Sequence, residues 1–207
     1  MPFYEEEILV KQTLKMHRGS AVAAAVFMIL SQLLILAAAR SSSATYTSPL
    51  LLINLLGGIL VTVMLSVILF RGKKDTAAGV VFLITILSPA FEVLYELFIL
   101  LFATGTTVYV LLYLVSALML VAFRGLLAGE CLSKGKVSKS GGRMLLWLLP
   151  ILCFCAMLLA QISLSLSNGT SIGGSVAGSL IYVIPKWVGP LLMGIALFRP
   201  AARENAE

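Results

Sequence analysis

This sequence predicts an all-α fold, a polytopic transmembrane helical bundle of about six spans, on three observations. Its 207 residues are 60% hydrophobic and 12% charged, where soluble domains hold roughly 45–50% apolar and about 25% charged residues. The apolar residues gather in continuous runs of about twenty, the length that crosses a hydrocarbon layer of about 30 Å as a helix. The basic residues fall in alternate links between those runs, the pattern that orients a membrane protein. A β-barrel would show alternating segments of about ten residues, and these runs are unbroken.

Six segments meet the length: 19–39, 49–70, 77–104, 107–128, 144–166 and 172–198. The third and sixth are longest, so they are expected to tilt or to kink at Pro89, Pro185 and Pro190. Proline lacks an amide to donate, and its ring meets the carbonyl one turn back. Residues 1–18 form a separate N-terminal segment and 199–207 a tail. Within the former, Phe3, Val10 and Leu14 fall near one helical face, while Glu7, Lys11 and Lys15 follow i, i+4 spacing on another. That suits a short helix lying on the membrane surface. His17, the single histidine, then sits at the headgroup boundary as a solvated residue. The long apolar stretch behind an acidic tail (Glu5, Glu6, Glu7) reads as a retained first span rather than a cleaved signal peptide.

Charge sets the orientation. Lys11, Lys15 and Arg18 precede span one, and Arg71, Lys73 and Lys74 follow span two. Arg124, Lys134, Lys136, Lys139 and Arg143 lie at or between spans four and five, and Arg199 and Arg203 follow span six. With six spans, those thirteen of the fifteen basic residues share one side; Arg40 lies opposite and Lys186 lies inside a span. The asymmetry predicts both termini in the cytoplasm of a cell membrane, with a bacterial plasma membrane as the expected setting. The net charge of +6 is accounted for by topology, so the expected partner is a lipid bilayer and not a nucleic acid.

Most catalytic arrangements fail on inventory. One histidine cannot build a His-rich metal site, and neither an H-E-x-x-H nor a P-loop occurs. Asp75 is the single aspartate and lies in a basic link, which excludes an intramembrane aspartyl dyad. The chain is therefore not expected to be an enzyme. Cys131, Cys153 and Cys155 are expected to be free, small buried thiols, because none falls in an outer loop and two positions apart on a helix face different ways.

The informative residues are polar groups inside the apolar runs, since a charge at mid-span costs about 2.5–3.5 kcal/mol on insertion scales and usually faces protein or water. On span three, Glu92 and Glu96 are one turn apart, with Ser88 a turn earlier and Thr85 close to the same stripe. On span six, Lys186 lies between Pro185 and Trp187. A Glu92–Lys186 pair would let each charge neutralise the other. The oriented model places Gln32, Asn54, Tyr109, Tyr113 and Gln161 in the same outer half. The candidate solute-binding or ion-pair set is therefore Glu92, Glu96, Lys186, Ser88, Tyr113, Gln161, Asn54, Gln32 and Trp187. Interhelical amide bonds worth roughly 0.6 kcal/mol each are the competing account for Gln32, Asn54 and Gln161.

Two further patterns bear on function. Split three plus three, the halves carry proline beside charge at matching third spans, Pro89 with Glu92 and Pro185 with Lys186, as inverted-repeat transporters often do at their binding sites. Small-residue steps at Ala21/Ala25, Gly57-Gly58 and Gly174/Gly178 allow close helix contact, inside the bundle or with a partner membrane subunit. The best expectation is binding or transport of a small-molecule solute through an outward-facing polar pocket. In size, span number and pocket the chain resembles the substrate-capture subunits of energy-coupling-factor vitamin importers, a likeness of architecture that implies a separate energising complex. The alternative is a non-transporting assembly, immunity or regulatory subunit whose polar residues are structural. A Lys186 Schiff base countered by Glu92 would resemble retinal proteins, but six spans are one too few.

Overall fold

The computed structural model describes residues 15–41, 49–102, 108–133, 142–167, 184 and 187–198. The elements there are all helical: α1 (Arg18–Ser41), α2 (Pro49–Arg71), α3 (Thr76–Thr85), α4 (Leu87–Phe102), α5 (Val108–Leu132) and α6 (Gly142–Ser167), with α7 at Trp187–Phe198. Among the described residues four stretches are long and apolar enough to cross a membrane: Arg18–Ala37, Thr76–Phe102, Val108–Leu132 and Met144–Ser167. At 1.5 Å per residue, twenty residues reach about 30 Å. Large apolar side chains such as Leu33, Leu60, Phe91, Phe98 and Leu101 point out of the bundle, a surface suited to lipid. Of the N-terminal surface helix, Phe3, Glu7, Val10, Lys11 and Leu14 lie outside the described residues, as does most of 172–186 in the sixth expected span.

α5 is central: it packs on α3, α4 and α6, while α1 pairs with α2. α7 closes the bundle, its Met193, Ala196 and Leu197 joining Ala21, Ala24, Ala25, Leu65, Phe82, Phe123 and Leu146 in the main buried cluster. The small residues of α1 therefore serve contacts inside the bundle. Two glycines set the closest approaches. A Cβ on Gly79 would lie 2.7 Å from Leu132 Cγ, and one on Gly194 would collide with the backbone oxygen of Leu146.

The expected kink of span three is a one-residue interruption at Ile86, between α3 and α4, where the backbone stays in the right-handed helical region. Its cause is three residues downstream. Pro89 has no amide, so the carbonyl of Thr85, four residues back, loses its helical donor. Thr85 is fully buried, and an orphan carbonyl there would be costly. Arg124 of α5 supplies the donor: its guanidinium Nη1 donates to Thr85 O. Arg124 is thus no link cation, as the sequence suggested, but a group reaching into the bundle about 12 Å, eight helical residues, from the end of α5. α6 repeats the logic at Pro150. That proline frees the carbonyl of Leu146, and the hydrogen-bearing Cα of Gly194 occupies the space against it.

At the far end of α2 the chain is tied tightly. Gly72 takes a positive φ of 63° to turn the backbone. Its carbonyl accepts from Met16 N at 2.8 Å, and His17 N donates to Ala196 O of α7 at 2.8 Å. Asp75 caps α3, accepting from Ala78 N at 2.9 Å, and pairs with Arg71 at 2.7 Å. His17 is an α1 cap rather than a solvated bystander, its Nδ1 accepting from Ser20 N at 3.3 Å. Lys74 and Glu130 are buried together, Nζ to Oε1 3.8 Å, with Lys74 also donating to Leu197 O. Burial pushes the Lys74 ammonium below the ordinary lysine range, the Glu130 carboxylate opposing the shift. All three cysteines are free; Cys131 and Cys153 are buried, but Cys155 is exposed, because its position on α6 faces out of the bundle.

Candidate functional site

A cleft of about 160 Å³ opens where α4, α5, α6 and α7 meet, lined by Glu92, Tyr95, Glu96, Tyr113, Ser116, Ala117, Leu120, Met157 and Trp187. Its residues follow helical arithmetic. Glu92, Tyr95 and Glu96 occupy i, i+3 and i+4 on α4, and Tyr113, Ser116, Ala117 and Leu120 occupy i, i+3, i+4 and i+7 on α5. Glu92, Tyr95 and Glu96 lie beyond Ile86 on α4, the helix that packs on α5.

The electrostatics are asymmetric. Glu92 and Glu96 stand one turn apart and their charges act on each other. Glu92 also acts on Arg124, the guanidinium already engaged at Thr85 O. Tyr113 is held by Gln161, whose Nε2 donates to the phenol oxygen, and by an edge-on contact with Tyr109 at 6.4 Å between ring centroids. Ser116 Oγ donates to Tyr113 O at 2.8 Å, and Cys153 Sγ donates to Ser116 O at 3.0 Å. These bonds fix the wall formed by α5 and α6. Trp187 is only 4% exposed, packs on Leu120 and Cys153, and its indole Nε1 has no hydrogen-bond partner among the described residues.

Of the residues singled out from sequence, Glu92, Glu96, Tyr113 and Trp187 come together at the cleft. Gln161 stands behind Tyr113 as its support. Ser88 lies half-buried at the start of α4 and does not line the cleft. Gln32 lies elsewhere, its amide against the bare backbone of Gly58, 3.1 Å from where a Cβ would be. α1 and α2 pair with each other, and the Gln32 amide lies in that contact, apart from the cleft lining. Lys186 and the Asn54 side chain lie outside the described residues. The described cation acting on Glu92 is Arg124, from a helix that sequence reasoning had read as ending at a basic link.

Tyr95, Ser116, Ala117, Leu120 and Met157 were missed. The stripe from Tyr113 to Leu120 was legible as periodicity, but an apolar face on a membrane helix looks alike whether it meets lipid, a neighbour or a cleft. The pentapeptide at 169–173, Gly-Thr-Ser-Ile-Gly, has the spacing of a nucleophile elbow, which needs a strand feeding a helix. It lies outside the described residues, and the single histidine caps α1. Among the described residues no three His, Cys, Asp or Glu side chains converge to hold a metal. No protein-family model, curated protein or solved structure matches the chain.

Proposed function

We propose that this chain is a multi-pass membrane protein, with both termini in the cytoplasm, that binds a small solute in the α4–α7 cleft as part of its uptake or sensing. One observation carries the reading: a cleft inside an apolar bundle collects two carboxylates, two tyrosines and a buried indole whose donor is left without a described partner. Buried polar groups are ordinarily paired, and polar groups converging in a partly apolar cavity are the usual form of a small-molecule site. The orientation rests on the positive-inside asymmetry. With Arg124 counted as an internal residue, twelve basic residues still flank one side against Arg40 on the other.

The test is accessibility. In a background with Cys131, Cys153 and Cys155 replaced by serine, Ala117→Cys places a thiol in the cleft and Leu118→Cys places one on the exposed face of α5. A membrane-impermeant maleimide is expected to label the first in a water-filled cleft and not the second in lipid. An unlabelled Ala117→Cys from either side of the membrane would remove the basis for solute binding.

A second reading, a non-transporting subunit, draws on the Lys74–Glu130 pair and the Gln32–Gly58 contact, which are packing devices remote from the cleft. It predicts a dry cleft, so the same labelling separates the two.

A further inference from the structure

Resting on that reading of the cleft, we infer that its solute is a small organic cation of about one-ring size. Two features of the lining converge on this class. The first is charge: the carboxyl groups of Glu92 and Glu96 both line the cleft, one helical turn apart, and acids inside a bilayer favour a partner of opposite charge. A positive charge on the solute supplies one. Carboxylates only accept hydrogen bonds, so an ammonium group, which only donates, answers both.

The second is the wall. Tyr95, Tyr113 and Trp187 border the cleft, and aromatic faces attract organic cations more than anions. Size sets the last limit: about 160 Å³ is close to the roughly 150 Å³ cavity that accepts a benzene ring.

The test compares three probes of one shape and three charges, 3-hydroxybenzylamine, 3-hydroxybenzyl alcohol and 3-hydroxybenzoate, by calorimetric titration into the purified full chain in micelles. The cation is expected to bind at least about tenfold tighter than the neutral probe, and the anion not at all. Glu96→Gln and Glu92→Gln are each expected to lose about tenfold for the cation. Because the probe series uses the unmodified protein, it stands even if a variant fails to fold. Equal or tighter binding of the neutral or anionic probe overturns the inference and leaves the solute site intact. No binding of any probe with Ala117→Cys labelled also overturns the inference alone. No binding with that thiol unlabelled overturns both.

Discussion

Arg124→Met is expected to destabilise the bundle, and Pro89→Ala is expected to remove much of that cost. The coupling follows from one carbonyl. Thr85 O lacks a helical donor because Pro89 has no amide, and Arg124 Nη1 donates to it from α5. Neutral interhelical hydrogen bonds in bilayers average about 0.6 kcal/mol, whereas bonds to charged groups reach about 1.5–3 kcal/mol and a buried acceptor left unpaired costs about 1–3 kcal/mol. The residue carrying this carbonyl is fully buried, so about 2 kcal/mol is expected from losing this bond. A further loss comes from leaving Glu92 without that cation. Alanine at 89 restores an amide that can close the ring to Thr85 O, making the guanidinium redundant there. Equilibrium unfolding of the four proteins of the cycle in micelles should give a coupling of about 1–2 kcal/mol between positions 89 and 124. Additivity within about 0.5 kcal/mol would mean that Arg124 is not the substitute for a missing backbone donor, and the account of the break would fail.

Other perturbations give equally definite outcomes. At the Lys74–Glu130 pair, a separation of 3.8 Å corresponds to about 4 kcal/mol at an effective dielectric constant of about 20. Glu130→Gln should therefore lower stability by about 3 kcal/mol, and Lys74→Met/Glu130→Leu should recover most of it; a double variant worse than the single contradicts this. The same lysine has its folded-state pKa lowered below 10.5. Between those two values the unfolded chain holds the extra proton, so stability should rise with pH across that window. The stability of wild type relative to Lys74→Met should accordingly improve towards pH 10.5, and a flat difference would exclude Lys74 as the titrating group. Gly194→Ala drives a methyl into a backbone oxygen, and Gly79→Ala drives one into the end of the Leu132 side chain. Thermal unfolding should show a loss above about 3 kcal/mol for the former and about 1–3 kcal/mol for the latter. Leu132→Ala should relieve only Gly79→Ala.

What was legible in the sequence is what composition and period encode. Apolar runs of the right length marked α1, α2, α5 and α6, because in lipid a helix must satisfy its backbone internally and needs no partner to be recognisable. Pro89 announced a defect in the third run, and the one-turn spacing of Glu92 and Glu96 announced an acidic face. Tyr113 and Trp187 were found as polar-tipped aromatics in apolar surroundings. Glu130 was overlooked because a glutamate near a helix end ordinarily faces water, and nothing local indicated that Lys74 and the Leu197 carbonyl close over it.

The sequence alone determined that this chain is a set of apolar helices with a few charges it cannot leave in lipid, since that follows from residue type and spacing along one axis. Only the tertiary structure decided which charges meet. Arg124 turned inwards to a carbonyl stripped of its donor, Gln32 settled on Gly58, and Trp187 came to border the cleft with Glu92, Glu96 and Tyr113. Those outcomes depend on how each helix is rotated and how closely it approaches its neighbours. Rotation and approach are set by collisions at bare backbone such as Gly194 and Gly79, and by where prolines leave carbonyls to be claimed.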